Sequence, residues 1–215
     1  MIRLVLADDH GVVRAGMRAV FANEPDLEVV GEVADGLKVV ALVEELRPDV
    51  LVLDLMLPGL NGLEIARQVG RSINTTRVLI LSMHATEAYV VEALRAGASG
   101  YVAKDCSGAE VVDAVRAVAG GRSYLSAPFT DRLDELVSRG ARAAGDPYDT
   151  LTAREREVFQ LAAEGYTSAQ IGLRLFISAR TVETHRARVM RKLGLHGQSD
   201  LVRLAVKKGL LPEAS

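Results

Sequence analysis

Five side chains able to do chemistry each follow or close an apolar run in the first half of this chain: Asp8 and Asp9, Asp54, Ser82 and Lys104. Three carboxylates gathered in one place repel one another unless a cation lies between them. Hard oxygen donors with positions left open for water suit Mg²⁺, so Asp8, Asp9 and Asp54 form a candidate magnesium site, with the main-chain carbonyl of Met56 as a further donor. A carboxylate beside a metal and facing a phosphoryl group can act as the nucleophile and form an acyl phosphate. A lysine ammonium and the metal would neutralise the phosphoryl oxygens, and the Ser82 hydroxyl would donate to one of them. Singly these residues have ordinary uses, and Asp54 alone is equally a turn former or helix cap.

The elements that must bring them together are legible. Pro48-Asp49 precedes Val50-Leu51-Val52-Leu53, an uncharged run that reads as a strand buried on both faces. It ends on Asp54, and Pro58-Gly59 turns the chain soon after. Ile2–Ala7, Leu27–Val33, Arg77–Ser82 and Gly100–Ala103 read as the other strands. Helical segments follow each of the five: Gly11–Phe21, a stretch through Leu46, one from about Gly62, Glu87–Arg95 and Gly108–Val118. Five β-α pairs in series predict an α/β domain, a doubly wound five-stranded parallel sheet with helices on both faces. With strand order 2-1-3-4-5 the crevice opens between the strands that carry Asp8-Asp9 and Asp54, at the carboxyl edge where such sheets bind ligands.

Composition narrows the function classes. No apolar run approaches the roughly 18 residues of a membrane span, and no basic-then-apolar leader opens the sequence, which places the expected protein in the cytoplasm without a membrane partner. The one cysteine, Cys106, excludes an internal disulfide and reads as a small, partly buried residue. The four histidines, His10 and His84 among them, show no metal-ligand spacing. Residues 1–149 hold 15 Lys/Arg against 22 Asp/Glu, whereas residues 150–215 hold 11 against 6. An acidic module followed by a basic one implies different partners, the second a polyanion. The boundaries read as 1–119, a linker over 120–147, and 148–215. The linker is rich in Ser, Pro, Gly, Ala and Arg, with room for a short helix at Leu133, Leu136 and Val137.

The last part is all helix. Thr152–Glu155 and Thr167–Gln170 are capping boxes, Ser178 can cap a third helix ended by Gly194, and a fourth runs from about Ser199 to Lys208. The second and third have helix-turn-helix proportions. On the third, Val182, His185, Val189 and Leu193 share an inward face, while Arg180, Glu183, Thr184, Ala187, Arg188 and Arg191 share the other. That face is basic with small residues between, a shape suited to a major groove. A solvated face of a helical bundle is the plainer alternative.

Asp8-Asp9-His10, Asp54 with Pro58 and Gly62, Ser82, and Tyr101-Val102-Ala103-Lys104-Asp105 resemble the receiver domain of two-component response regulators, a flavodoxin-like fold. Leu151-Thr152, Arg154-Glu155, Glu157-Val158, Glu164-Gly165, Ile171, Leu175, Ile177-Ser178, Thr181–His185 and Lys192-Leu193-Gly194 resemble the LuxR-type helix-turn-helix. Together they resemble the NarL/FixJ subfamily. The resemblance implies a DNA-binding transcriptional regulator in which Asp54 accepts a phosphoryl group from a sensor histidine kinase, with Mg²⁺ on Asp8, Asp9 and Asp54. It implies that Ser82 and Tyr101 form a switch pair, the hydroxyl moving toward the phosphate and the ring turning inward. It further implies a homodimer on a palindromic DNA site, with RNA polymerase open as another partner. Glu183, Thr184 and Ala187 would read bases and Arg188 and Lys192 lie near phosphates, within a DNA-facing set that includes Arg180, Thr181 and Arg191. Met56 and His84 would flank the acyl phosphate. Two positions depart from the pattern: Gly172 stands where Ala is usual, and Gln198 where a basic residue is common. The expected chain is not an enzyme beyond self-phosphorylation and slow self-dephosphorylation. The alternatives are a regulator gated by a ligand or partner without phosphorylation, and a Mg²⁺-dependent phosphatase with the same Asp nucleophile.

Overall fold

The computed structural model describes the chain except residues 74, 84–85, 133, 137, 139–145 and 212–215. His84, Leu133 and Val137, which the sequence reading used, lie outside the described residues. Packing divides the chain into two units, Met1–Ala143 and Ala144–Ser215, and each is described by itself.

The first unit alternates strands and helices: β1 (Ile2–Ala7), α1 (Gly11–Ala22), β2 (Leu27–Val33), α2 (Gly36–Leu46), β3 (Val50–Asp54), α3 (Gly62–Ser72), β4 (Arg77–Ser82), α4 (Glu87–Arg95), β5 (Gly100–Ala103) and α5 (Gly108–Ala119). The sheet is parallel throughout, in the order β2-β1-β3-β4-β5 expected of a doubly wound fold. Every residue of β3, β4 beyond Arg77 and β5 is buried, as continuous apolar strands covered on both faces should be. On one face Leu4, Leu6, Val50, Val52, Leu79, Leu81 and Val102 pack with Phe21 of α1 and Val111, Val115 and Val118 of α5.

The strand count differs from the five expected. A sixth strand, β6 (Tyr124–Leu125), pairs in parallel with β5 inside the stretch read as linker. Two residues are too few to show an alternation, and their flanks look like loop composition. Ser126 reinforces the join, its Oγ accepting from the Ala103 N–H at 3.2 Å. Leu136 of the expected linker helix is helical and fully buried.

The second unit opens with a 3₁₀ turn (Pro147–Thr150) and continues as α6 (Ala153–Ala163), α7 (Ser168–Leu175), α8 (Ala179–Leu193) and α9 (Gln198–Lys207). Both capping boxes are present, Thr152 with Glu155 and Thr167 with Gln170, and the Ser178 side chain accepts from Thr181 N–H. Tyr148 meets Phe159 edge to face at 5.6 Å in the core of this unit. Gly172 has a local reason for lacking a side chain: a Cβ there would stand 2.6 Å from the Ile177 carbonyl oxygen, where the chain turns from α7 into α8.

Candidate functional site

Strand register assembles the acidic pocket. Ala7 lies opposite Leu53, so Asp8 emerges level with Asp54. Asp54 lies opposite Leu81 and Ser82 opposite Ala103, so Ser82 and Lys104 emerge along the same edge. The turn after β3 is tight: Gly62 N–H donates to the Leu55 carbonyl at 2.9 Å, and a Cβ on Gly62 would come within 2.5 Å of the Asp54 carbonyl oxygen. Asn61 then caps α3 by accepting from the N–H groups of Leu63 and Glu64.

The Lys104 ammonium bridges two acids. Its Nζ lies 2.7 Å from Asp54 Oδ2 and 2.7 Å from Asp8 Oδ2, and all three side chains are nearly buried. Burial works against the charged lysine, but the hydrogen bonds to Asp54 and Asp8 outweigh it and its pKa is raised. Asp54 Oδ1 accepts from the Met56 N–H at 3.2 Å, which places Met56 beside the acid. Asp9 is more open, with 37% of its side chain exposed.

Ser82 and Tyr101 are each 1% exposed, and the two side chains are hydrogen-bonded. Burial pushes the Tyr101 phenol up to about 12, partly opposed by that bond and aided by the charge of Asp54. The Tyr101 ring is thus already buried, where the resemblance implied an inward turn on phosphorylation.

Oxygens of Asp8, Asp9 and Asp54 lie with a His10 nitrogen within 4.8 Å of one another. A set of three hard carboxylates, one of them open to solvent, fits a Mg²⁺ ion that keeps waters. The spacing of the four histidines assigns His10 no such place. The structure puts its Nδ1 3.0 Å from Asp9 Oδ1 and 3.4 Å from Asp8 Oδ1. Adjacency to a strand-end acid pair was the signal available. Arg14 was also missed; its Nη1 donates to the Asp8 carbonyl at 2.5 Å and steadies the loop.

In the second unit α8 presents Arg180, Thr181, Glu183, Thr184, Ala187, Arg188, Arg191 and Lys192 as exposed residues, while Val182 and Val189 are buried and His185 and Leu193 half-buried. Two polar side chains on or beside this helix make contacts that spacing along the chain does not show. Lys192, expected near phosphates, turns its ammonium onto Glu155 Oε2 at 2.7 Å and the Thr150 carbonyl at 3.0 Å. Gln198 is an internal tie: its Nε2 donates to the Ala162 carbonyl at 2.6 Å and its Oε1 accepts from Arg186 Nη2 at 2.6 Å. A helical wheel places residues around one axis but cannot show a long side chain folding back to a neighbouring helix.

Residues 4–116 match the response regulator receiver domain, and residues 149–205 match the bacterial regulatory proteins of the luxR family. This chain is a response regulator. It is 39% identical over 215 residues to the oxygen regulatory protein NreC of Staphylococcus carnosus (strain TM300), covering 98% of this chain and 99% of that one. The crystal structure of the response regulator ChrA, from a heme-sensing two-component system, matches with a TM-score of 0.51 and 34% identity over 98% of each chain. RcsB of Salmonella enterica serovar Typhimurium, solved on promoter P1flhDC with the phosphomimetic BeF3−, matches at a TM-score of 0.56 and 26% identity, covering 97% of this chain and 98% of that one. The response regulator described here is thus a DNA-binding member of the NarL/LuxR family, with a receiver followed by a helix-turn-helix. Among the described residues no helix is long and apolar enough to cross a membrane.

Proposed function

We propose that this response regulator is switched by phosphorylation of Asp54 from a partner sensor histidine kinase, in the cytoplasm, and that the phosphorylated form dimerises on a palindromic DNA site. The observation that carries the reading is the Lys104 ammonium held against both Asp54 and Asp8 at the open edge of the sheet. An Asp54 oxygen attacks phosphorus, a P–O bond forms, and the P–N bond of the kinase's phosphohistidine breaks with its electron pair leaving on the imidazole nitrogen. Lys104 follows the charge from the carboxylate to the phosphoryl oxygens. Asp8, Asp9, Asp54 and the Met56 carbonyl would hold Mg²⁺, which when bound offsets the negative charge of the incoming group. Ser82 donates to a phosphoryl oxygen and thereby leaves its bond with Tyr101, so the switch lies in exchanging one partner of a buried hydroxyl for another. The receiver state so favoured dimerises, a population shift driven by its differential affinity for phosphate.

On α8, Glu183, Thr184 and Ala187 face base edges, and Arg180, Arg188 and Arg191 supply the positive charge that meets phosphates. Thr181 lies at the helix start, its N–H accepted by Ser178. A phosphatase would call for a second acid two residues after the nucleophile, where this chain has Met56. Mobility shift of a DNA fragment selected by the protein, with and without acetyl phosphate and Mg²⁺, tests the reading. Tighter binding with the phosphodonor in wild type, but not in Asp54→Asn, is the expected result; equal binding in all four cases contradicts it.

A further inference from the structure

The DNA-binding unit fastens its third helix to its first at two places. Near the middle of α8, Arg186 reaches Gln198 Oε1, and Gln198 Nε2 reaches the carbonyl of Ala162 in the last turn of α6. Near the C-terminal end of α8, Lys192 reaches Glu155 in the first turn of α6 and the Thr150 carbonyl just before it. The Glu155 side chain is 3% exposed, and the same Oε2 that receives Lys192 accepts the Thr152 N–H at 2.8 Å, closing the capping box. Arg188 and Arg191, exposed on the same helix, make no ion pair among the described residues. Among the positive charges of α8, Arg188 and Arg191 are thus free, Arg186 is tied to an amide, and Lys192 alone is committed to a buried acid.

We infer that Lys192 is a positioning residue for DNA recognition: through Glu155 it sets the angle at which α8 is presented, and it does not itself neutralise a phosphate. The inference rests on the reading of α8 as the DNA-contacting helix. Leaving a buried carboxylate without its cation is costly, so the tie persists when DNA is bound. Two ties at opposite ends of α6 fix both the position and the tilt of α8, which a single contact would leave free to pivot.

The test uses the full chain and a duplex selected by this protein from a random-sequence pool, with a scrambled duplex as control. Glu155→Gln is the decisive variant. Gln serves a capping box as Glu does, so the start of α6 is kept. Removing a negative charge would by long-range attraction alone tighten binding to DNA. The positioning account predicts the opposite, about tenfold weaker binding to the selected duplex. The dependence of affinity on salt should remain as in wild type. Lys192→Met should behave alike, and the double variant should be no weaker than either single one. Should Lys192→Met fail to fold, as judged by circular dichroism, Glu155→Gln carries the test alone. A salt slope reduced by about one unit in Lys192→Met, with Glu155→Gln binding as well as wild type or better, would overturn the inference. If Arg188→Ala also left binding unchanged, the reading of α8 itself would have failed instead.

Discussion

Tyr101 and Ser82 are hydrogen-bonded to each other at the carboxyl edge of the sheet, one at β5 and the other at the end of β4, both almost fully buried. A hydroxyl in that position has two possible partners, the phenol behind it and a phosphoryl group in front. Tyr101→Phe removes the first and should destabilise the unphosphorylated chain by about 1 kcal/mol, read by urea unfolding. Ser82→Ala removes both. Labelling of Asp54 by phosphodonor should persist in that variant while phosphorylation-dependent dimerisation is lost, as read by sedimentation. Because burial raises the Tyr101 phenol to about 12, it stays protonated across neutral pH and adds no pH dependence there.

Gly62→Ala should be strongly destabilising. Its new methyl group would press on the Asp54 carbonyl at 2.5 Å, a backbone atom with no freedom to withdraw. A loss of about 1–3 kcal/mol is expected from such overpacking, together with weaker labelling, because the same turn holds Met56 against Asp54. Gly172→Ala should show a similar loss of stability by its 2.6 Å approach to Ile177.

Met56 donates its backbone N–H to Asp54 Oδ1, so an apolar residue stands next to the acid proposed to accept the phosphoryl group. Such a side chain cannot orient an attacking water. Met56→Asn should therefore shorten the lifetime of the phosphorylated form, measured by loss of label after removal of donor; an unchanged lifetime would count against this role.

Acid should weaken the DNA-binding unit through Glu155. Burial opposes its ionisation, yet the Lys192 ammonium and the Thr152 N–H hold its carboxyl below the usual range. A depressed folded-state pKa contributes stability above the unfolded value of about 4.3, and that contribution disappears as pH falls through the folded value. Melting curves of wild type and Glu155→Gln should differ at about pH 6 and converge toward about pH 3. A difference that stays constant over that range would show that the Glu155 charge contributes nothing.

The parts of this fold that sequence made legible are those with long, one-sided patterns. The β3 run could be placed as a central strand because Val50–Leu53 has no polar position for solvent, and its terminal Asp54 then had to emerge at the ligand edge. Capping boxes at Thr152 and Thr167 fixed two helix starts within a residue because the N-cap and third position are coupled by hydrogen bonds. What stayed hidden depends on partners distant in sequence. β6 is two residues long and exists because β5 offers an open edge. The inward turn of Lys192 depends on Glu155, brought close only when α6 and α8 pack. Gln198, which departs from the basic residue common at its position, is a strut between helices. His10 joined the acid cluster by following Asp8 and Asp9 around one turn.

Arg188→Ala should weaken binding to selected and scrambled duplexes alike and lower the salt slope by about one unit. A loss confined to the selected duplex would mean that Arg188 reads a base.

The central claim is that Asp54, held against Lys104 and Asp8, accepts the phosphoryl group. Incubating wild type and Asp54→Asn with radiolabelled acetyl phosphate and Mg²⁺, then mapping any label by peptide mass, tests it most directly. The account predicts one acid-stable, base-labile label on the peptide carrying Asp54 in wild type and none in the variant. Undiminished labelling of Asp54→Asn, or a wild-type label mapped to another residue, would contradict it.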